Sequence, residues 1–206
     1  MMGHREFKVI TKTSKGVYKE KGSKFYAFAR PVNSRDDADA FVDKLRKDHH
    51  TAVHVCYGYV AGTEFPEVRA NDDGEPSNSA GTPILNQIQA AGLHNTLVAV
   101  VRYYGGTKLG VPGLINAYKT AAAEALHNNI FKTLKTVEVY ELKTDYHRLG
   151  DVLRILERAG AEVVNREYLQ EVTLVFSIEK GKRVNISGMF EHLQLEPPVK
   201  LNELLK

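Results

Sequence analysis

The stretch TLVAVVRYYGGTKLGVPG, Thr96 to Gly113, decides how this chain is read. Its apolar run, Leu97 to Val101, is nearly unbroken, so it predicts a strand covered on both faces and therefore central to its sheet. The run ends in Arg102, Tyr103 and Tyr104, then in a glycine pair and Lys108. An apolar stripe follows at helical spacing: Leu114, Ile115, Tyr118, Ala122, Ala125 and Leu126. The predicted helix starts near Pro112 to Leu114 and stops at His127-Asn128-Asn129. A buried strand, a glycine turn and a helix N-terminus in that order can hold an anion, because free N–H groups and the helix dipole face it. Arg102, Tyr104, Gly105, Gly106, Lys108, Gly110 and Gly113 are the candidate anion- or RNA-binding residues. Neither GxxxxGK[ST] nor GxGxxG fits the string. A structural reading stays open, with the glycines making a sharp reversal and Arg102 in an internal ion pair. Tyr103 and Tyr104 should point to opposite sides of the strand, so one of them is free to stack on a base.

Upstream, Thr82-Pro83 reads as the cap and first position of a helix carrying Ile84, Leu85, Ile88 and Ala91, with Gly92 as its stop. SKFYAFARPV reads as a strand closed by Pro31. Ser34 caps a helix whose inner face is Ala38, Phe41, Val42 and Leu45. AVHVCYGYVA is a strand with Val53, Val55, Tyr57 and Tyr59 on one side and His54, Cys56 and Gly58 on the other. His54 is a possible neighbour of the site. Cys56, the one cysteine, reads as a buried thiol beside a hydrogen-bonded histidine.

Between these elements GTEFPEVRANDDGEPSNSAG predicts a long loop without secondary structure, a feature that in compact domains usually has a function. Asp72, Asp73, Glu75 and Ser77 are its candidates for gripping a partner or a metal. The same string also reads as turn chemistry with solvated acids, and it is not an EF-hand.

Downstream of NIFKTLKT, residues 129–136, the order is strand, helix, strand, strand, helix and a short tail, which predicts a ferredoxin-like βαββα domain. Leu149, Val152, Leu153 and Leu156 form the face of its first helix, and NISGMFEHLQ is its second. Val172, Leu174, Phe176 and Ile178 alternate as a half-buried strand does.

The 206 residues carry a net charge of +3, with 28 Lys and Arg against 25 Asp and Glu. From Val137 onward there are 10 basic and 12 acidic residues, which leaves 18 against 13 in the first part. Six of those lysines fall between Lys8 and Lys24, as in an arm that binds RNA, or as in lysines guarding a strand edge. No apolar run is long enough to span a bilayer, the start MMGHREFKVI has no signal-peptide core, and one cysteine suits a reducing compartment. The reading is therefore cytoplasmic.

HVCYGY, DDGEPSNSAGTPIL and VVRYYGGTKLGVPGLINAY together resemble the IMPACT/YigZ family, over nearly the whole chain and in the form of its two-domain bacterial members. The resemblance implies an α+β protein. Residues 1–130 would form an IMPACT-type domain resembling the second domain of a small-subunit ribosomal protein. Residues 137–206 would form a ferredoxin-like domain resembling one in elongation factor G. It implies translation regulation: a protein engaging RNA, the ribosome or a translation-factor partner through its N-terminal domain. No catalytic residue, cofactor or metal is assigned, and neither membrane association nor sequence-specific DNA recognition is expected. Two alternatives stay open. One is an enzyme on a small phosphorylated or nucleotide ligand, using the acidic and glycine-rich loops together. The other is a docking module whose acidic loop grips a protein. This chain departs from the family pattern at Asn78, where glycine is expected, at Pro112, where glycine is common, and at Asn116, where arginine is usual.

Overall fold

The computed structural model describes residues 6–63, 65–182 and 184–205, with side chains as far as 201. The first five residues of the MMGHREFKVI start lie outside them. The chain divides into two compact units, Phe7–Thr133 and a second that takes Glu6 together with the residues from Leu134 onward. Among the described residues there are ten strands in two antiparallel sheets and four α-helices, an α+β architecture.

In the first unit, after β1 (Glu6–Ile10), the sheet is built from β2 (Ser14–Glu20), β3 (Ser23–Pro31), β4 (His54–Ala61), β5 (Glu67–Asn71) and β6 (Thr96–Tyr103). Their order is β2-β3-β6-β4-β5. The apolar run is the middle strand: β6 pairs with β3 from Lys24↔Tyr103 to Pro31↔Thr96 and with β4 from His54↔Arg102 to Val60↔Thr96. Helix α1 (Arg35–Asp48) covers one face. Ala38, Phe41, Val42 and Leu45 pack there on Val55, Tyr57, Tyr59, Leu97, Ala99 and Val101. Helices α2 (Gly81–Ala90) and α3 (Gly110–His127) cover the other, over Phe25, Ala27, Cys56, Val98 and Val100. Ser34 caps α1 as its sequence predicts, its Oγ accepting from the Asp37 N–H at 3.2 Å.

Three expectations are corrected here, and of the two readings of the lysine-rich segment the strand edge is the one the fold supports. The long loop is interrupted by β5, which pairs on the edge of β4 from Tyr57↔Asn71 to Ala61↔Glu67. Backbone pairing makes that strand, so its mixed residues show no period. Helix α2 begins at Gly81, before the Thr82-Pro83 pair, and Thr82 donates instead to Asn78 Oδ1 at 2.9 Å. Helix α3 begins at Gly110, which puts Pro112 in its first turn, where a missing N–H costs nothing. The lysine-rich segment is folded into β1, β2 and the start of β3, with Lys15 and Lys19 exposed on the edge strand β2.

The second unit holds most of β7 (Phe131–Thr144), then α4 (Leu149–Arg158), β8 (Glu162–Tyr168), β9 (Val172–Glu179) and β10 (Val199–Leu205). Strand β9 lies between β7 and β8, and β10 pairs antiparallel with β7. Val172, Leu174, Phe176 and Ile178 are all buried with Val152, Leu156 and Phe190. The predicted second helix is reduced to one 3-10 turn, Glu191–Leu193, because Asn185 Oδ1 takes the Gly188 N–H and bends the chain there. The predicted tail is a strand, β10, supported by the open side of β7.

Candidate functional site

The acidic loop and the end of β6 converge. Arg102 and His54 are cross-strand partners, and Arg102 also faces Phe25 of β3. Alternation turns Arg102 to the same side as Val98 and Val100, under the loop and α3. There its Nη1 donates to Glu75 Oε1 at 2.5 Å, with the side chains 8% and 3% exposed. Tyr118, from α3, donates its hydroxyl to the same carboxylate oxygen at 2.7 Å. His54 Nε2 stands 3.9 Å from it, while His54 Nδ1 lies 2.6 Å from the Asp73 carbonyl. A carbonyl only accepts, so Nδ1 carries the proton and Nε2 faces the glutamate. The Cys56 thiol donates to the Asp72 carbonyl at 3.0 Å and lies 3.3 Å from the Tyr118 hydroxyl. Burial is the first cause that pushes both the Cys56 thiol and the Tyr118 hydroxyl well above their ordinary pKa values, so both stay protonated. A thiol held in that form is a poor nucleophile and a poor metal ligand.

The other two carboxylates also look inward. Asp72 Oδ1 accepts from the N–H groups of Ala80 and Gly81, and Oδ2 from Asn78, so it caps α2 from nine residues away. Asp73 Oδ1 accepts from Arg46 Nη2 at 2.9 Å, and Oδ2 from the Val55 N–H at 2.7 Å. A Cβ on Gly81 would overlap the backbone of Asn71, so the loop is pinched shut at its base. Asn78 has φ +60°, a left-handed conformation that asparagine tolerates better than most residues, which accounts for its standing in a glycine's place. Ser77 is exposed on the outer side of the loop. Among the described residues, no three His, Cys, Asp or Glu side chains come together as a metal cluster would require.

The glycine loop is built in the opposite sense. Tyr104, Gly105, Gly106 and Lys108 are all exposed, and Tyr104 stands over the Arg102 guanidinium, 5.6 Å from its carbon to the ring centre. Arg102 Nε makes no hydrogen bond. Gly105 is needed for contact: a Cβ there would overlap the Gly22 carbonyl and the Ser23 nitrogen, and its N–H donates to Ser23 Oγ at 3.1 Å. Gly106 has φ +86° and open space around it. Gly110 and Gly113 lie in the first turn of α3, whose N-terminus no side chain caps. Asn116, in the usual arginine's place, donates to the Tyr18 hydroxyl at 3.4 Å.

Two features escape the sequence reading, the Tyr118 hydroxyl and the groove around Tyr26 and His49, although Lys24 is named there within the lysine-rich segment. Tyr118 was legible only as one member of an apolar stripe, although a hydroxyl among alanines was a signal. Lys24, Tyr26 and His49 line an open groove of about 490 Å³ with Gly22, Tyr103 and Tyr104. The alternation of Lys24 and Tyr26 against Phe25 and Ala27 already placed the first two on a common face.

Comparison with known proteins follows this division. The Impact N-terminal domain model matches residues 21–126, and a domain of unknown function, DUF1949, matches residues 142–185. IMPACT family member YigZ of Escherichia coli (strain K12) is 31% identical over 170 residues, 82% of this chain and 83% of that protein. IMPACT family member YvyE of Bacillus subtilis (strain 168) is 33% identical over 158 residues, 77% of this chain and 73% of that one. A crystal structure of a hypothetical protein is similar at a TM-score of 0.66 and 28% identity, covering 96% of this chain and 98% of its own.

Proposed function

The chain belongs to the IMPACT family, and from that premise we propose that it is a translation-associated binding protein whose N-terminal domain engages RNA. The observation that carries this reading is the exposed connection from Tyr104 to Lys108, leading into the uncapped N-terminus of α3. Phosphate is met there by a mobile ammonium and by first-turn amides, in the part of the chain that holds the basic excess. Arg102 serves this surface indirectly, from beneath Tyr104. The carboxylates of the acidic loop are bonded within the chain, which disfavours that loop as the docking element.

The N-terminal domain, residues 1–130, is proposed to share the fold of the second domain of a small-subunit ribosomal protein. Residues 137–206 are proposed as a ferredoxin-like domain akin to one in elongation factor G. The split order β7-β9-β8, with α4 between β7 and β8 in sequence and β10 closing the other side, supports the second assignment.

Filter binding to ribosomes, tRNA and single-stranded RNA across a salt series tests the function, with Lys108→Ala alongside. Affinity is expected to fall steeply with salt, and the slope to be shallower by roughly 0.7 in the variant, one single-strand phosphate contact. Absence of binding to all three would overturn the proposal.

A further inference from the structure

We infer that the tyrosine-lined groove takes an unpaired nucleotide of single-stranded RNA, its base against the aromatic wall and its phosphate beside Lys24. The inference rests on the RNA reading above and names the part of the RNA that the domain recognises. The groove lies at the end of the sheet. The start of β3 supplies Lys24 and Tyr26, the end of β6 Tyr103, the residue just beyond it Tyr104, and the C-terminus of α1 His49. Its volume of about 490 Å³ is that of a small-ligand site.

The wall is set before any ligand arrives. Tyr26 and Tyr103 meet edge to face at 5.8 Å, and the Tyr103 hydroxyl lies 2.8 Å from His49 Nδ1. Tyr104 is 47% exposed, with one face over the Arg102 guanidinium. Arg102 is itself fixed by Glu75, so the buried ion pair holds the tyrosine in place. Aromatic faces accept any base, and they cannot reach one that is stacked inside a duplex.

The charge around the groove selects the same ligand. Lys24 is exposed in the lining, its cross-strand partner is Lys19, and Lys21 lies in the turn before it. Among the described residues, no carboxylate lines the groove. A sugar would be served by the tyrosines alone, without the lysines. An acidic peptide would be served by the lysines, without a wall of rings. A nucleotide uses both.

The test is fluorescence anisotropy with a short single-stranded oligoribonucleotide and with the same sequence closed into a hairpin, on wild type, Tyr104→Ala and Lys24→Ala. Both side chains are exposed, so both variants should fold, and circular dichroism checks this. The single strand should bind at least about tenfold tighter than the hairpin, and Tyr104→Ala should weaken it at least about fivefold, one stacked base. Uridine monophosphate should displace the strand where ribose 5-phosphate does not. Equal binding of strand and hairpin, indifference to Tyr104→Ala, or equal competition by ribose 5-phosphate would each overturn the groove assignment and leave RNA engagement standing. Absence of binding to either RNA would overturn both.

Discussion

The acidic loop and the glycine loop are the two stretches of this chain that look most like sites, and they are put to opposite uses. Residues 71–81 turn their carboxylates inward. Glu75 meets Arg102 and Tyr118, Asp72 caps α2, and Asp73 ties the loop to Arg46 and β4. Residues 104–108 turn theirs outward, with Tyr104 and Lys108 exposed. Charge density in a sequence therefore says little about function until the partners of each charge are known. Three carboxylates in four positions are here a fastening that holds an irregular segment against a sheet and two helices. The sparser string, with one lysine and two adjacent glycines, forms the open surface.

The contrast can be broken most forcefully at Glu75. Glu75→Ala strands Arg102 and leaves the Tyr118 hydroxyl without its acceptor, and losing one partner of a buried pair costs about 3–5 kcal/mol. Urea unfolding should show that loss, with Glu75→Gln milder because it keeps an oxygen for Tyr118. A Glu75→Ala protein as stable as wild type would show that the loop does not hold the fold.

Gly105→Ala sharpens the comparison from the other side. Its methyl would collide with the Gly22–Ser23 backbone, so a stability loss of roughly 1–3 kcal/mol is expected from a residue inside the open loop. Gly106 has left-handed backbone and open space around it, so alanine there should cost roughly 1 kcal/mol from conformation alone. Equal losses at both positions would remove the close approach at Gly105 as the cause.

The buried thiol gives a pH signature. Burial raises the Cys56 pKa in the native state, so above the ordinary thiol range, near pH 8.5, the unfolded chain releases a proton that the folded one keeps. Stability is full below that point and falls by up to about 1.4 kcal/mol per pH unit above it, with Tyr118 adding to the slope above about pH 10. Cys56→Ala should flatten the first part of that slope in urea midpoints measured from neutral to alkaline pH. An unchanged slope would exclude the thiol as its source.

Much of this fold is legible locally. The run from Leu97 to Val101 specifies the central strand, Ser34 the start of α1, and the alternation from Val172 to Ile178 the inner strand of the second sheet. What was illegible depends on distant partners. Strand β5 exists because β4 offers an edge, and β10 because β7 does. Helix α2 starts at Gly81 because a carboxylate nine residues earlier binds the Ala80 and Gly81 amides. The ion pair joining the two motifs spans 27 residues, and only the folded sheet brings it together. The sequence named Arg102 both as a ligand-binding group and as half of an internal pair. The register of β4 against β6 gives it the second role, with Tyr104 above it.

The central claim is a division of labour, and one variant tests it most directly. Lys24→Ala combined with Lys108→Ala should leave the unfolding free energy from urea titration within about 0.5 kcal/mol of wild type, as surface changes do. Its single-stranded RNA affinity should fall at least about tenfold, with a salt slope shallower by roughly 1.4. Wild-type affinity and slope in that variant would contradict the account.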